Sequence, residues 1–65
     1  MPVQTRELAY QGYEIQCYKL GGLWYVVVKE GGEWRWTGSD FRYQRDGIRE
    51  ARAAIDKMRE EANDG

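Results

Sequence analysis

The one thiol in the chain, Cys17, has no histidine to activate it, because the sequence contains no histidine. A cysteine attacks as thiolate, which requires a nearby base or a cationic setting. Cys17 instead occupies an apolar position of a strand pattern, where cysteine behaves as a small hydrophobe. Carboxylates gather at Asp56, Glu60 and Glu61. At helical spacing these read as a solvated face, without the several spaced ligands that a metal site needs. Gly21-Gly22 and Gly31-Gly32 do not read as phosphate loops, since neither opens a helix. The residue types therefore point away from catalysis, and no cofactor or metal is expected.

The arginines carry the remaining chemistry. They supply seven of the 10 basic residues, and Arg45, Arg49, Arg52 and Arg59 recur at helical spacing, interrupted by Asp56. Arg42 falls just before that run and Arg35 well before it. Guanidinium groups on one flank can meet carboxylates or phosphates in bidentate fashion. The competing reading is a solvated flank held by the pairs Arg52–Asp56 and Asp46–Arg49. With 10 basic against 11 acidic residues the net charge is −1, which disfavours a general polyanion binder and favours an acidic protein surface. The expected partner surface is Arg45, Arg49, Arg52 and Arg35, with Tyr18, Tyr25, Trp34 and Trp36, because arginine and aromatic residues dominate interface hot spots. Tyr25 and one of the tryptophans are expected near the helical arginines.

The elements that must position these groups follow from periodicity. At 65 residues the chain is one domain, 1–65, and its aromatic content of 14% gives a small core large side chains. Each Gly-Gly pair lies between apolar runs and reads as a hairpin turn. Alternation predicts strands from Tyr13 to Lys19, Leu23 to Lys29 and Glu33 to Thr37. The segment Val3 to Tyr10 leaves two readings: Gly12 marks a bulge in one long strand, or Gln11-Gly12 turns the chain after a separate edge strand. From about Gln44 to Ala62 the period becomes helical, with Ile48, Ala51, Ile55, Met58 and Ala62 on one stripe and Asn63-Asp64-Gly65 as the stop. Gly47 costs that helix about 1 kcal/mol of propensity, for which close helix–sheet packing is the natural reason. The fold class is α+β: an antiparallel meander of three strands, or four with the N-terminal one, and a C-terminal helix across one face.

Register decides which face is free. A two-residue Gly21-Gly22 turn pairs Cys17 with Val26, Ile15 with Val28 and Glu14 with Lys29. Tyr13, Ile15, Cys17, Trp24, Val26 and Val28 then form the core face under the helix. Tyr18, Tyr25 and Val27, with Leu20 or Leu23, remain on the open face, where they favour homodimerisation through that face or through an open strand edge. For the third strand a two-residue Gly31-Gly32 turn puts Trp34 and Trp36 together on the open face as an aromatic platform. A three-residue loop puts both in the core and points Arg35 and Thr37 outward. The second is favoured, because leaving two tryptophans in water forfeits about 2–3 kcal/mol each.

The pattern Tyr10-x-Gly12-Tyr13-x-Ile15, then Trp24, Phe41, Gly47, Ile48, Ala51, Ile55 and Asp56, resembles many short phage and prophage proteins of β-β-β-α form. Tyr43 stands where those proteins usually have a helix-capping serine, and Gly47 where they usually have alanine. The resemblance implies an accessory protein of a mobile element, acting in the cytoplasm of a bacterial host. The expected function is therefore a non-enzymatic protein-binding module that blocks a site on a host complex, as anti-CRISPR-type inhibitors do. The alternatives are a β-sheet module that stacks nucleic-acid bases on its aromatics and a structural homo-oligomer. No apolar run approaches the roughly 20 residues of a membrane span, and the N-terminus lacks a signal-peptide core, so no membrane role is expected.

Overall fold

The computed structural model describes residues 3–63. Four strands and one helix follow in order: β1 (Val3–Tyr10), β2 (Tyr13–Leu20), β3 (Leu23–Glu30), β4 (Glu33–Phe41) and α1 (Gln44–Asn63). The strands form one antiparallel sheet in sequential order, β1-β2-β3-β4. The four-stranded reading therefore holds. The helix reaches Asn63, while Asp64 and Gly65 of the expected stop lie outside the described residues.

Three similar turns build the meander. Gln11-Gly12, Gly21-Gly22 and Gly31-Gly32 all have positive φ at both central positions, from 54° to 86°. That is the backbone of a type I′ hairpin turn, whose twist matches the strands it joins. Gln11 adopts this conformation without being glycine, so the first turn is the least visible in the sequence. Between β2 and β3 the register is the expected one: Cys17 opposite Val26, Ile15 opposite Val28 and Glu14 opposite Lys29.

β4 departs from both expected registers. Its turn has two residues, and Lys29 faces Trp34, but Val28 faces Trp36. Arg35 is thus an extra residue in the strand, a β-bulge that reverses the face on which the chain continues. Trp34 stays on the open face, 66% exposed, while Trp36 turns under the helix and packs against the core. Neither the shared platform nor the shared core exists. A second irregularity lies between the Gly38–Val26 and Phe41–Trp24 pairs, where Asp40 takes φ 66°. β4 runs on through the second irregularity, past Thr37, its expected end, to Phe41.

The core is the helix-covered face. Tyr13, Ile15, Cys17, Val26, Val28, Ile48, Ala51 and Ile55 form one buried cluster, with Leu8, Tyr10, Trp24, Trp36, Phe41 and Met58 packed around it. Ala62, expected on the stripe, is exposed; it borders a shallow cavity with Gln11, Tyr13 and Glu30 instead of joining the core. Two glycines mark where backbone approaches side chains. A Cβ on Gly47 would lie 2.6 Å from Val26 Cγ2 and 3.1 Å from Phe41, and one on Gly38 would lie 2.5 Å from the Trp36 ring. Gly47 therefore lets α1 sit down on β3 and β4. At the helix start the Tyr43 carbonyl accepts the N–H groups of Asp46 and Gly47.

The open face is not a continuous apolar patch. Val27 is 2% exposed even though no helix covers it. Gln16 and Thr37 flank it in the register, with Tyr25 and Lys29 beside it along β3. Leu20 and Leu23 are exposed at one end of the sheet, and Trp34 at the other.

Candidate binding groove

The helix leans toward β4, so the two sides of α1 differ. On the β1 side a groove of about 460 Å³ separates the strand from the first half of the helix. Its floor is Leu8 and Ile48. Its walls are Arg6 from β1 and Arg45, Arg49 and Arg52 from α1. The three helical arginines reach this flank because they follow one another at steps of four and three. Arg6 reaches it because it faces Cys17 across β1 and β2, which puts it with Leu8 and Tyr10 on the helix side.

Little negative charge offsets these guanidinium groups. Arg49 pairs with Asp46 at 3.2 Å, as the sequence allows. The other expected pair does not form: Asp56 instead accepts the Tyr10 hydroxyl at 2.9 Å, and Arg52 lies over the Tyr10 ring at 5.5 Å. Arg45 lies over the Tyr43 ring at 5.1 Å. Among the described residues no carboxylate pairs with Arg6, Arg45 or Arg52. Aromatic rings thus lie beneath two of the arginines without neutralising them, since a cation over a ring keeps its charge. The groove is fastened at one end. There the Tyr10–Asp56 bond, and an Arg59 Nη1 bond of 3.3 Å to the Gln11 carbonyl, tie the helix to the first hairpin turn. The bond to Asp56, assisted by desolvation and by the charge of that carboxylate, raises the Tyr10 hydroxyl above its ordinary pKa.

The other expected site residues lie elsewhere. Arg35 and Trp36 border a second groove, of about 530 Å³, on the β4 side of α1, floored by Ala53, Ala54 and Met58. Arg35 also approaches Glu30 at 3.4 Å. Tyr18, Tyr25 and Trp34 are on the open face. Tyr18 and Tyr25 stack on each other at 5.0 Å, and Tyr18 donates to Gln16. Tyr25 is therefore separated from the helical arginines by the thickness of the sheet. Arg6 was missing from the expected set. Its signal was the alternation Arg6, Leu8, Tyr10, which points to the helix side only once Gln11-Gly12 is read as a turn.

Cys17 is fully buried, and burial pushes its thiol up from the ordinary range, against a smaller opposing effect of Arg6. Such a thiol is a poor nucleophile near neutral pH. No group of His, Cys, Asp and Glu among the described residues could hold a metal ion, and no described helix is long and apolar enough to cross a membrane. Comparison with family models, with curated proteins and with solved structures finds no match.

Proposed function

We propose that the chain is a non-catalytic binding module that docks onto an acidic surface of a partner protein through the groove between β1 and α1. The observation that carries this reading is the convergence of Arg6, Arg45, Arg49 and Arg52 on one groove, with Asp46 as their one paired carboxylate among the described residues. The guanidinium groups that lie over Tyr10 and Tyr43 keep their charge for a ligand. In the mobile-element setting that the sequence pattern resembles, such a module acts by covering a site on a host complex.

A base-stacking module is less well supported. It requires aromatic rings and arginines on one surface. Here Tyr18 and Tyr25 stack on each other, on the opposite side of the sheet from the arginine groove, and the rings on the arginine side, Tyr10 and Tyr43, already lie under Arg52 and Arg45. A homo-oligomer through the open face is weakened by the burial of Val27 and by the separation of Leu20 and Leu23 from Trp34.

The test replaces Arg45, Arg49 and Arg52 together with glutamate and checks folding by far-ultraviolet circular dichroism. Parent and variant chains are then used side by side for affinity capture from a bacterial lysate, with the captured protein purified and titrated. The parent should bind it and the folded variant should lose at least about a hundredfold in affinity, as expected when charge-paired interface arginines are reversed. A partner held equally by both chains overturns the reading. A single-stranded oligonucleotide that binds the parent more tightly than any captured protein favours the base-stacking module instead.

A further inference from the structure

We infer that the partner enters this groove as an extended acidic segment, which adds as a strand to the free edge of β1 and lays alternate carboxylates among the arginines. The inference rests on the reading of the groove given above. β1 is an edge strand, paired only with β2 among the described residues. Tyr10 and Tyr13 are directly opposed across the two-residue turn. Tyr10, Leu8 and Arg6 therefore direct their N–H and C=O groups to β2, and the intervening Ala9 and Glu7 direct theirs outward. The register runs without irregularity from Arg6 to Tyr10 and is interrupted only between Gln4 and Arg6. β4, the other edge, is a poor template because bulges at Arg35 and Asp40 break its ladder.

Parity defines the segment. An added strand sends successive side chains to opposite faces. On the helix side they fall beside Arg6 and Leu8, below Arg45, Arg49 and Arg52. On the open side they fall beside Ala9 and Glu7, whose carboxylate already accepts a bond from Gln4 Nε2 at 3.1 Å. An acid on that second side meets like charge. The segment that suits both sides carries acids at alternate positions and neutral or basic residues between them. Main-chain bonds to Glu7 and Ala9 supply affinity, and the guanidinium groups supply selectivity.

The test uses fluorescently labelled, capped short peptides and the intact chain, read by anisotropy. One peptide has glutamate at every second position with threonine between. A second has the same composition with its glutamates in one block. Two further copies of the alternating peptide carry N-methyl groups on every second backbone nitrogen, one at each parity. The alternating peptide should bind about tenfold more tightly than the block peptide. Methylation at one parity should cost about tenfold, and at the other parity should change affinity by less than about twofold, since only one parity faces β1. Equal binding of alternating and block peptides, or indifference to methylation at both parities, overturns strand addition and leaves the acid-binding groove standing. Undiminished binding of the alternating peptide to the Arg45→Glu, Arg49→Glu, Arg52→Glu variant, or no binding of any of these peptides to the parent, overturns both.

Discussion

On the β4 side, α1 meets the sheet by steric fit. Gly47 lets the helix backbone approach Val26 and Phe41 in its first turn, and beyond it a groove of about 530 Å³ opens between Trp36 and Ala53, Ala54 and Met58. On the β1 side, the same helix faces the sheet across a gap, and long charged side chains stand along both walls. One cause accounts for both. A small residue at 47 draws the helix toward β3 and β4, and a helix of ordinary width cannot then also cover the outermost strand. The uncovered strand bears Arg6 at the position facing Cys17, so the gap acquires a cation from the sheet as well as three from the helix. The tight flank is the one closed at Gly47, and the open flank is where four guanidinium groups are available to a ligand.

The comparison is broken most completely by removing the contact that both flanks share. Ile55 has no exposed surface and sits in the cluster with Ile15, Val26 and Val28. Ile55→Ala should cost about 2–4 kcal/mol, a large part of the stability of a chain this small. Denaturant unfolding measures it, and a loss below about 0.5 kcal/mol would mean that α1 is held by its edges and not by its centre.

The tight flank is addressed separately at Gly47. Gly47→Val places carbon where Val26 Cγ2 and Phe41 already lie, and should cost about 1–3 kcal/mol through overpacking. Helix propensity pulls weakly the other way, because valine is better than glycine in a helix by a few tenths of a kcal/mol. A thermal midpoint equal to that of the parent would show that the approach at 47 does not seat the helix.

The parts of this architecture that the sequence disclosed are those governed by a repeating period. Ile48, Ala51 and Ile55 were legible because helical steps of three and four put them on one stripe, and the Cys17–Val26 pairing because Gly21-Gly22 leaves one sensible turn length. Bulges have no period. Nothing in Glu33-Trp34-Arg35-Trp36 announces that Arg35 is an extra residue, so strict alternation assigned both tryptophans to the same face. The bulge therefore parts the two tryptophans, Trp34 on the open face and Trp36 on the helix side. Tyr18 and Tyr25 lie on the open face as expected, which keeps Tyr25 away from the helical arginines. The arginine half of the expected site survived because Arg45, Arg49 and Arg52 are set by helical spacing. Arg6 escaped because a non-glycine residue, Gln11, takes the left-handed conformation at the first turn, which left the strand before it without a defined face.

The smallest expected effect sharpens the contrast within one strand. Trp34 and Trp36 have the same side chain and are two residues apart, so without the bulge they would occupy the same face and respond alike to substitution. In the structure Trp34 is 66% exposed, with Lys29 over its ring at 5.8 Å, whereas Trp36 is partly buried against the core. Trp36→Ala should therefore cost about 2 kcal/mol, somewhat less than a fully buried tryptophan would. Trp34→Ala should cost less than about 0.5 kcal/mol, the ordinary effect of a surface change, since the exposed cation–ring contact it loses is weak. Denaturant unfolding of the two variants under one set of conditions makes the comparison. Equal losses would mean that the strand alternates regularly through Arg35, and both tryptophans would then have to be placed on one face. A loss at Trp36 alone fixes the bulge as the feature that divides the tight flank from the open sheet.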